Sequence, residues 1–313
     1  MAPGELWLPE FGLGGGPLGN LFHAVADEQA RETVDTAWET GIRFFDTAPH
    51  YGLGLAERRL GEALRHRPRD EYVLSTKVGR VLVPNPPGTG GRDGDIFDVP
   101  ATHRRVWDFS RDGVRRSVED SLRRLGLDRI DVLLLHDPDE HWRQAIDEGY
   151  PALAELRDAG VVRGIGVGMS NARMLADFVR NADLDVVMVA ARYTLLDQQA
   201  AGELLPLCRE RGIPAVAVAL FHYGLLATDR PAPGPAGPAR SPELQRRARR
   251  VGEICQRYGV SVTAAAMRYP LRHPAVASVV VGCHTAEQVR HNAALFAQPI
   301  PDGLWADLEG QYG

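Results

Sequence analysis

The stretch "DVLLLH", Asp131 to His136, sets four apolar residues in a row between an aspartate and a histidine. A strand with one wet face alternates polar and apolar side chains. A strand covered on both faces has no reason to, and parallel sheets are covered on both faces. The run is also too short for an amphipathic helix. "DVVMVAA", from Asp185, repeats the pattern.

Outward from these two runs the chain alternates short apolar segments with longer amphipathic ones. Six further candidate strands are Phe11–Gly16, Ile42–Asp46, Tyr72–Lys77, Gly164–Gly168, Pro214–Ala219 and Ser278–Gly282. Helical patterns fill the gaps. Val114, Val118, Leu122 and Leu125 share one face, and Gly126 stops that helix. Ala26–Thr40, Tyr150–Ala159, Ala172–Asn181, Gln198–Arg211, Pro242–Tyr258 and Ala286–Phe296 read the same way. Eight strands with intervening helices in 313 residues predict an α/β chain folded as one (β/α)8 TIM barrel, a single domain over residues 1–313. The alternative is a doubly wound sheet. "GLGGGPLGN" (Gly12–Asn20) is its nearest approach to a dinucleotide fingerprint, but no helix follows directly.

Two Pro/Gly segments break the rhythm, "PNPPGTGGRDGDIFDVP" (Pro84–Pro100) and "RPAPGPAGPAR" (Arg230–Arg240). Both leave the C-terminal end of a strand. Residues 84–110 and 228–242 are therefore candidate lid loops.

Composition excludes several classes. Hydrophobic residues make up 44% and charged residues 25%, as in a globular protein with a large core. A net charge of −5 supplies no field for nucleic acid or anionic membrane. Three cysteines, Cys208, Cys255 and Cys283, give neither a disulfide framework nor metal-ligand spacing, so no metal is expected. No apolar run approaches the ~20 residues of a membrane span, and the N-terminus lacks the pattern of a signal peptide. A cytoplasmic location is expected. Monomer and dimer stay open.

The polar residues that close the strands carry the functional reading. Asp46 closes the second strand, Lys77 the third and His136 the fourth; Tyr51 lies just past the second, and Ser170-Asn171 follow the fifth. In a barrel these converge on one mouth, where barrel enzymes place their chemistry. A free phenol, with a pKa near 10, is too weak an acid for proton transfer near neutrality. A lysine beside it lowers that value, and a shift of two or three units corresponds to roughly 3–4 kcal/mol. Asp46 would hold Lys77 charged and aimed, and His136 would orient the same substrate oxygen.

The motifs "GIRFFDTAPHYGLGLAERRLG", "STKVG", "DVLLLHDPD", "GVVRGIGVGMSN" and "VVVGCHTAEQVRHN" make the chain resemble the aldo-keto reductases over nearly its whole length. "PLGNLF", "VWDFSRDG" and "HDPDEHW" are most similar to the branch with D-threo-aldose 1-dehydrogenases, L-fucose dehydrogenases and pyridoxal 4-dehydrogenases. The resemblance implies an NAD(P)-dependent oxidoreductase with a catalytic tetrad Asp46, Tyr51, Lys77 and His136, Tyr51 being the acid/base. The implied cofactor is NAD or NADP. Ser170 and Asn171 would hold its carboxamide; Gly282, Cys283, His284, Thr285, Gln288 and Asn292 would hold its pyrophosphate and adenosine ends at a helix N-terminus. Thr285 and Gln288 also spell a capping box. Trp107, Phe22, Phe221, His222 and Arg192 are candidate substrate residues by loop position.

The implied activity is oxidation of an aldose to its lactone. Reduction of an aldehyde or ketone, pyridoxal or a secondary metabolite, is the alternative, and a non-catalytic nicotinamide-binding regulatory module is an alternative of another class. The substrate is a small carbonyl compound or sugar in the first two cases. Three departures from the family pattern bear on the cofactor. Ala190 stands where many relatives have glutamine, and Val218 where many have an aromatic residue. His284 stands where NADP-preferring relatives have Lys or Arg. Arg290 is the nearest cation to compensate.

Overall fold

The computed structural model describes residues 6–88, 90–229 and 241–309. Ten strands are present among them: β1 (Phe11–Gly14), β2 (Phe44–Asp46), β3 (Val73–Val78), β4 (Arg80–Pro84), β5 (His103–Trp107), β6 (Val132–His136), β7 (Gly164–Met169), β8 (Val186–Ala190), β9 (Ala215–Val218) and β10 (Val276–Gly282). Eight close into a parallel barrel in the order β1-β10-β9-β8-β7-β6-β3-β2. The expected (β/α)8 fold and all eight expected barrel strands are therefore present.

The continuous apolar strands follow from two cores. Val132 and Leu134 of β6 point into the barrel lumen with Phe44, Val73, Val186, Met188, Val216 and Val280. Their neighbours Leu133 and Leu135 pack outward under the helices. β6 thus buries both faces, and alternation disappears from its sequence. Leu6 and Leu8 pack against the lumen cluster.

The helices end where local chemistry ends them. Ser110 caps the helix Arg111–Leu125 by accepting from the Gly113 N–H at 3.1 Å, and Gly126 closes it at φ 63°. The expected helix Gln198–Arg211 is two pieces, Gln199–Gly202 and Leu204–Arg211. Pro206 explains the break: it has no N–H to give Gly202, and its ring crowds that carbonyl.

The segment 84–110, a candidate lid, carries regular structure at its ends. Its ends belong to a β-hairpin in which β4 and β5 pair antiparallel, Arg80 opposite Trp107. Of the second candidate lid, 228–242, residues 230–240 lie outside the described residues. Among the described residues no helix is long and apolar enough to cross a membrane.

Candidate active site

The turn from β2 into the helix Leu55–Leu64 carries two of the expected residues. Asp46 is the last residue of β2, and its backbone is fixed by Gly15 N–H, which donates to the Asp46 carbonyl at 2.6 Å. The chain then turns through Gly52 (φ 62°) and Gly54 (φ 81°). A Cβ at Gly52 would lie 2.3 Å from the Gly19 carbonyl oxygen, so glycine there meets both a left-handed backbone and a close approach. This turn sets the Tyr51 ring over the barrel mouth.

Lys77 joins the set from β3. Its ammonium donates to Asp46 Oδ2 at 2.7 Å and Oδ1 at 2.9 Å, to the Thr47 carbonyl at 2.9 Å and to the Tyr51 hydroxyl at 3.1 Å. Ser75 donates to Asp46 Oδ1 at 2.7 Å. Lys77 and Asp46 are both buried. His136, at the end of β6, stands edge-on to Tyr51 with ring centroids 6.0 Å apart. The structure brings all four expected tetrad residues to one cavity of about 320 Å³.

The electrostatics differ from the simple expectation for Tyr51. Burial raises its pKa; Lys77 pulls it down, but Asp46 pushes it back up, and the net direction is upward. Burial is the largest cause, and because two of the ammonium's contacts go to one carboxylate, its pull on the phenol is weakened. Burial acts against the Lys77 charge, yet Asp46 and then Tyr51 outweigh it and hold the ammonium protonated. Burial, followed by the charges of Arg80 and Lys77, holds His136 well below its ordinary range, so its imidazole is neutral.

The cavity also contains residues the motif reading passed over. His50 immediately precedes Tyr51 and lines the same space, with Ile96 and Phe97 from the 84–110 segment. Arg80 pairs with Asp137, directly after His136. Both line a neighbouring cavity of about 400 Å³ with Trp107, Asp139, Glu140, His141 and Ser170. His50 could have been singled out, since a polar side chain adjoining the acid/base shares its turn. Arg80 could not, because its place depends on the antiparallel pairing of β4 with β5.

The candidate substrate residues divide. Trp107 is 41% exposed, lies under Arg80 at 4.4 Å and lines the outer cavity. Phe22 is exposed and tilted against Tyr223 at 6.3 Å. Phe221 packs on the outer core, and His222 is buried with its Nε2 2.6 Å from Thr194 Oγ1. Neither Phe221 nor His222 lines either cavity. Arg192 donates to the Ser170 carbonyl at 2.9 Å and pairs with Asp197. Ala190 and Val218 do line the inner cavity, at the ends of β8 and β9.

The candidate cofactor residues differ in which polar atoms are left free. Asn171 Oδ1 caps the helix Ala172–Asn181 by accepting from Met174 N–H at 3.1 Å, which leaves its NH2 to donate. Thr285 caps the helix Ala286–Phe296 by accepting from Gln288 N–H at 3.1 Å. Gln288 Oε1 reaches back to His284 N–H at 2.7 Å, one residue earlier than in a standard capping box. The remaining first-turn N–H groups have no partner within the helix. Gly282 lines the inner cavity, and a Cβ there would sit 2.9 Å from the Pro17 ring. This glycine-edged cleft, beside a helix N-terminus, fits an extended anionic dinucleotide. Cys283 and Asn292 face each other in the interior: Asn292 Nδ2 donates to Cys283 Sγ at 3.3 Å, and burial pushes that thiol up to about 12.

The aldo/keto reductase family model matches residues 10–312. The chain is 47% identical over 313 residues to a D-threo-aldose 1-dehydrogenase of Pseudomonas sp, covering 98% of this chain and 95% of the relative. It is 38% identical over 330 residues to a pyridoxal 4-dehydrogenase of Microbacterium luteolum, covering 98% and 94%. Among solved structures, the glycerol dehydrogenase of Gluconobacter oxydans matches at a TM-score of 0.77 and 25% identity, covering 99% of this chain and 95% of that one. The chain belongs to the aldo/keto reductase family and is an NAD(P)-dependent oxidoreductase.

Proposed function

We propose that this chain oxidises the anomeric hydroxyl of a cyclic aldose to a lactone. The observation that carries the reading is the buried contact of Lys77 with both Asp46 and Tyr51 beside a neutral His136. A nicotinamide held by Ser170 and Asn171 would supply the acceptor for the hydride leaving C1. Tyr51 takes the hydroxyl proton, and Lys77 stabilises the phenolate, which without it would form only at high pH. The neutral His136 donates a hydrogen bond to the same oxygen, which becomes the lactone carbonyl. The similarity to a D-threo-aldose 1-dehydrogenase supports a sugar as substrate.

A second reading, reduction of an aldehyde, is favoured by one observation. The free Tyr51 phenol is held protonated, which suits a proton donor. The family resemblance and the pyridoxal 4-dehydrogenase relative make pyridoxal worth including.

NAD is the proposed preferred cofactor. Burial lowers the pKa of His284, whose Nε2 donates to the Leu21 carbonyl at 3.1 Å, so it brings no cation to a 2′-phosphate. Arg290 is directed onto Thr36 Oγ1 at 3.3 Å.

The test is a panel of aldoses, aldehydes, ketones and pyridoxal with each cofactor, followed by nicotinamide absorbance. Fastest turnover on an aldose with NAD+ is expected. Cofactor binding with no turnover on any compound would sink the enzymatic assignment and favour the regulatory module.

A further inference from the structure

His50 is buried at the cavity wall without a hydrogen bond to either ring nitrogen among the described residues. Its Nδ1 is sealed from solvent and unpartnered. Its Nε2 has one carboxylate nearby, Asp95 Oδ2 at 3.8 Å, beyond hydrogen-bond reach. The side chain of His50 is 10% exposed and that of Asp95 36%.

The neighbours fix which atoms are free. Asp95 Oδ1 accepts from the Ile96 N–H at 2.7 Å, leaving Oδ2 toward His50. Arg105 donates to the His50 carbonyl at 3.0 Å and grips Asp93 through both nitrogens at 2.7 and 2.8 Å. Its Nη1 stands 3.9 Å from Asp95 Oδ2. The His50 ring is held between Phe97 at 5.2 Å and His136 at 5.6 Å, both edge-on.

An unpaired lone pair is less costly to bury than an unpaired N–H. The sealed Nδ1 therefore carries the lone pair, and Nε2 carries the proton. Burial, with Arg80 and Arg105 nearby, depresses the pKa of His50 to about 2, so the ring stays neutral. The result is an N–H donor facing a carboxylate acceptor across a gap too wide for a direct bond. A hydroxyl is the group that can accept from one and donate to the other.

We propose that His50 and Asp95 form a hydroxyl-reading pair that selects substrates with a hydroxyl on the carbon next to the reacting one. The substrate class is then the 2-hydroxy carbonyl compounds and their cyclic forms. This rests on the oxidoreductase reading above and narrows it. His136 addresses the oxygen on the reacting carbon, and His50, one ring away, addresses its neighbour. The same hydroxyl would tie the 84–110 segment to the barrel mouth, because Asp95 belongs to that segment and adjoins Ile96 and Phe97.

The test compares kcat/KM for an aldose and its 2-deoxy counterpart with the same cofactor. The parent is expected to prefer the hydroxylated sugar about tenfold or more, the cost of leaving the buried His50 donor unmatched. His50→Phe removes the donor while keeping a ring, and the preference is expected to fall to within about threefold. His50→Gln, which restores an N–H donor, recovers part of it. Asp95→Ala, at a half-exposed position that tolerates change, also lowers the ratio and covers the case in which His50→Phe does not fold. A parent indifferent to the 2-hydroxyl overturns the proposal, as does a preference unchanged in both His50→Phe and Asp95→Ala. A parent that turns over neither sugar nor any aldehyde overturns the oxidoreductase reading itself, and this proposal with it.

Discussion

Lys77 Nζ lies 2.7 Å from Asp46 Oδ2 while also reaching the Tyr51 hydroxyl at 3.1 Å. The shorter contact is to the carboxylate, and both partners are buried. Removing one partner of such a pair strands the other charge, which costs about 3–5 kcal/mol. Lys77→Met is expected to lose activity and to lower thermal stability by that order. Lys77→Met with Asp46→Asn is expected to regain most of the stability but none of the activity. Calorimetry and steady-state kinetics on both variants check this. Equal stability of the single and double variants would show that Asp46 is not stranded.

Tyr51→Phe removes one hydroxyl and leaves the ring that packs near Phe97 at 5.8 Å. Cofactor affinity is expected to persist, and turnover to fall about 10²- to 10⁴-fold, the usual worth of a positioned proton-transfer group. Fluorescence titration and kinetics separate the two effects. A variant within a few-fold of the parent would remove Tyr51 from the acid/base role.

The raised pKa of Tyr51 has a directional signature in pH. Reduction needs the protonated phenol, which is present below its pKa. Its kcat/KM is expected to stay flat through neutral pH and to fall only above about 10. Oxidation needs the proton acceptor, so its kcat/KM rises with pH over the same range. A reductive profile that already falls at neutral pH would mean that Lys77, not burial, controls the phenol.

His284→Arg places a permanent charge beside the proposed 2′-phosphate position. It is expected to tighten NADP binding about fivefold or more while leaving NAD binding within about twofold, the range of one charge-assisted contact. Isothermal titration with both cofactors reads the difference. No change in the NADP/NAD ratio would place the 2′ end elsewhere.

Acid should weaken the fold through buried histidines. His50 and His222 have folded values of about 2 and about 4, both below the ordinary 6.5. Above 6.5 neither state is protonated and nothing is lost. As pH falls below 6.5, the unfolded chain binds protons that the folded chain refuses, so stability falls by up to about 1.4 kcal/mol per pH unit for each group. His222 stops contributing below about 4. Melting temperature against pH, with His222→Gln expected to flatten the slope between 6 and 4, measures this.

By itself the sequence determined the barrel, because doubly buried strands such as Val132–His136 abandon polar alternation and recur at barrel spacing. It also gathered Asp46, Tyr51, Lys77 and His136 at one mouth, because they lie at or just past strand ends, and a strand end has one place in a barrel. What it could not hold were relations between residues distant along the chain. The hairpin of β4 and β5, which brings Arg80 and Trp107 together, depends on antiparallel pairing across a long connection. The net direction of the Tyr51 pKa depends on how deeply folding buries the phenol and where it sets Lys77 and Asp46 around it. His222, a polar residue on a mouth loop, turned inward to Thr194 instead of into either cavity. His50 gained its meaning only when folding set Asp95 3.8 Å from its free nitrogen. Periodicity records which faces are buried; only packing decides which polar atoms are left without partners, and those are the atoms a substrate can satisfy.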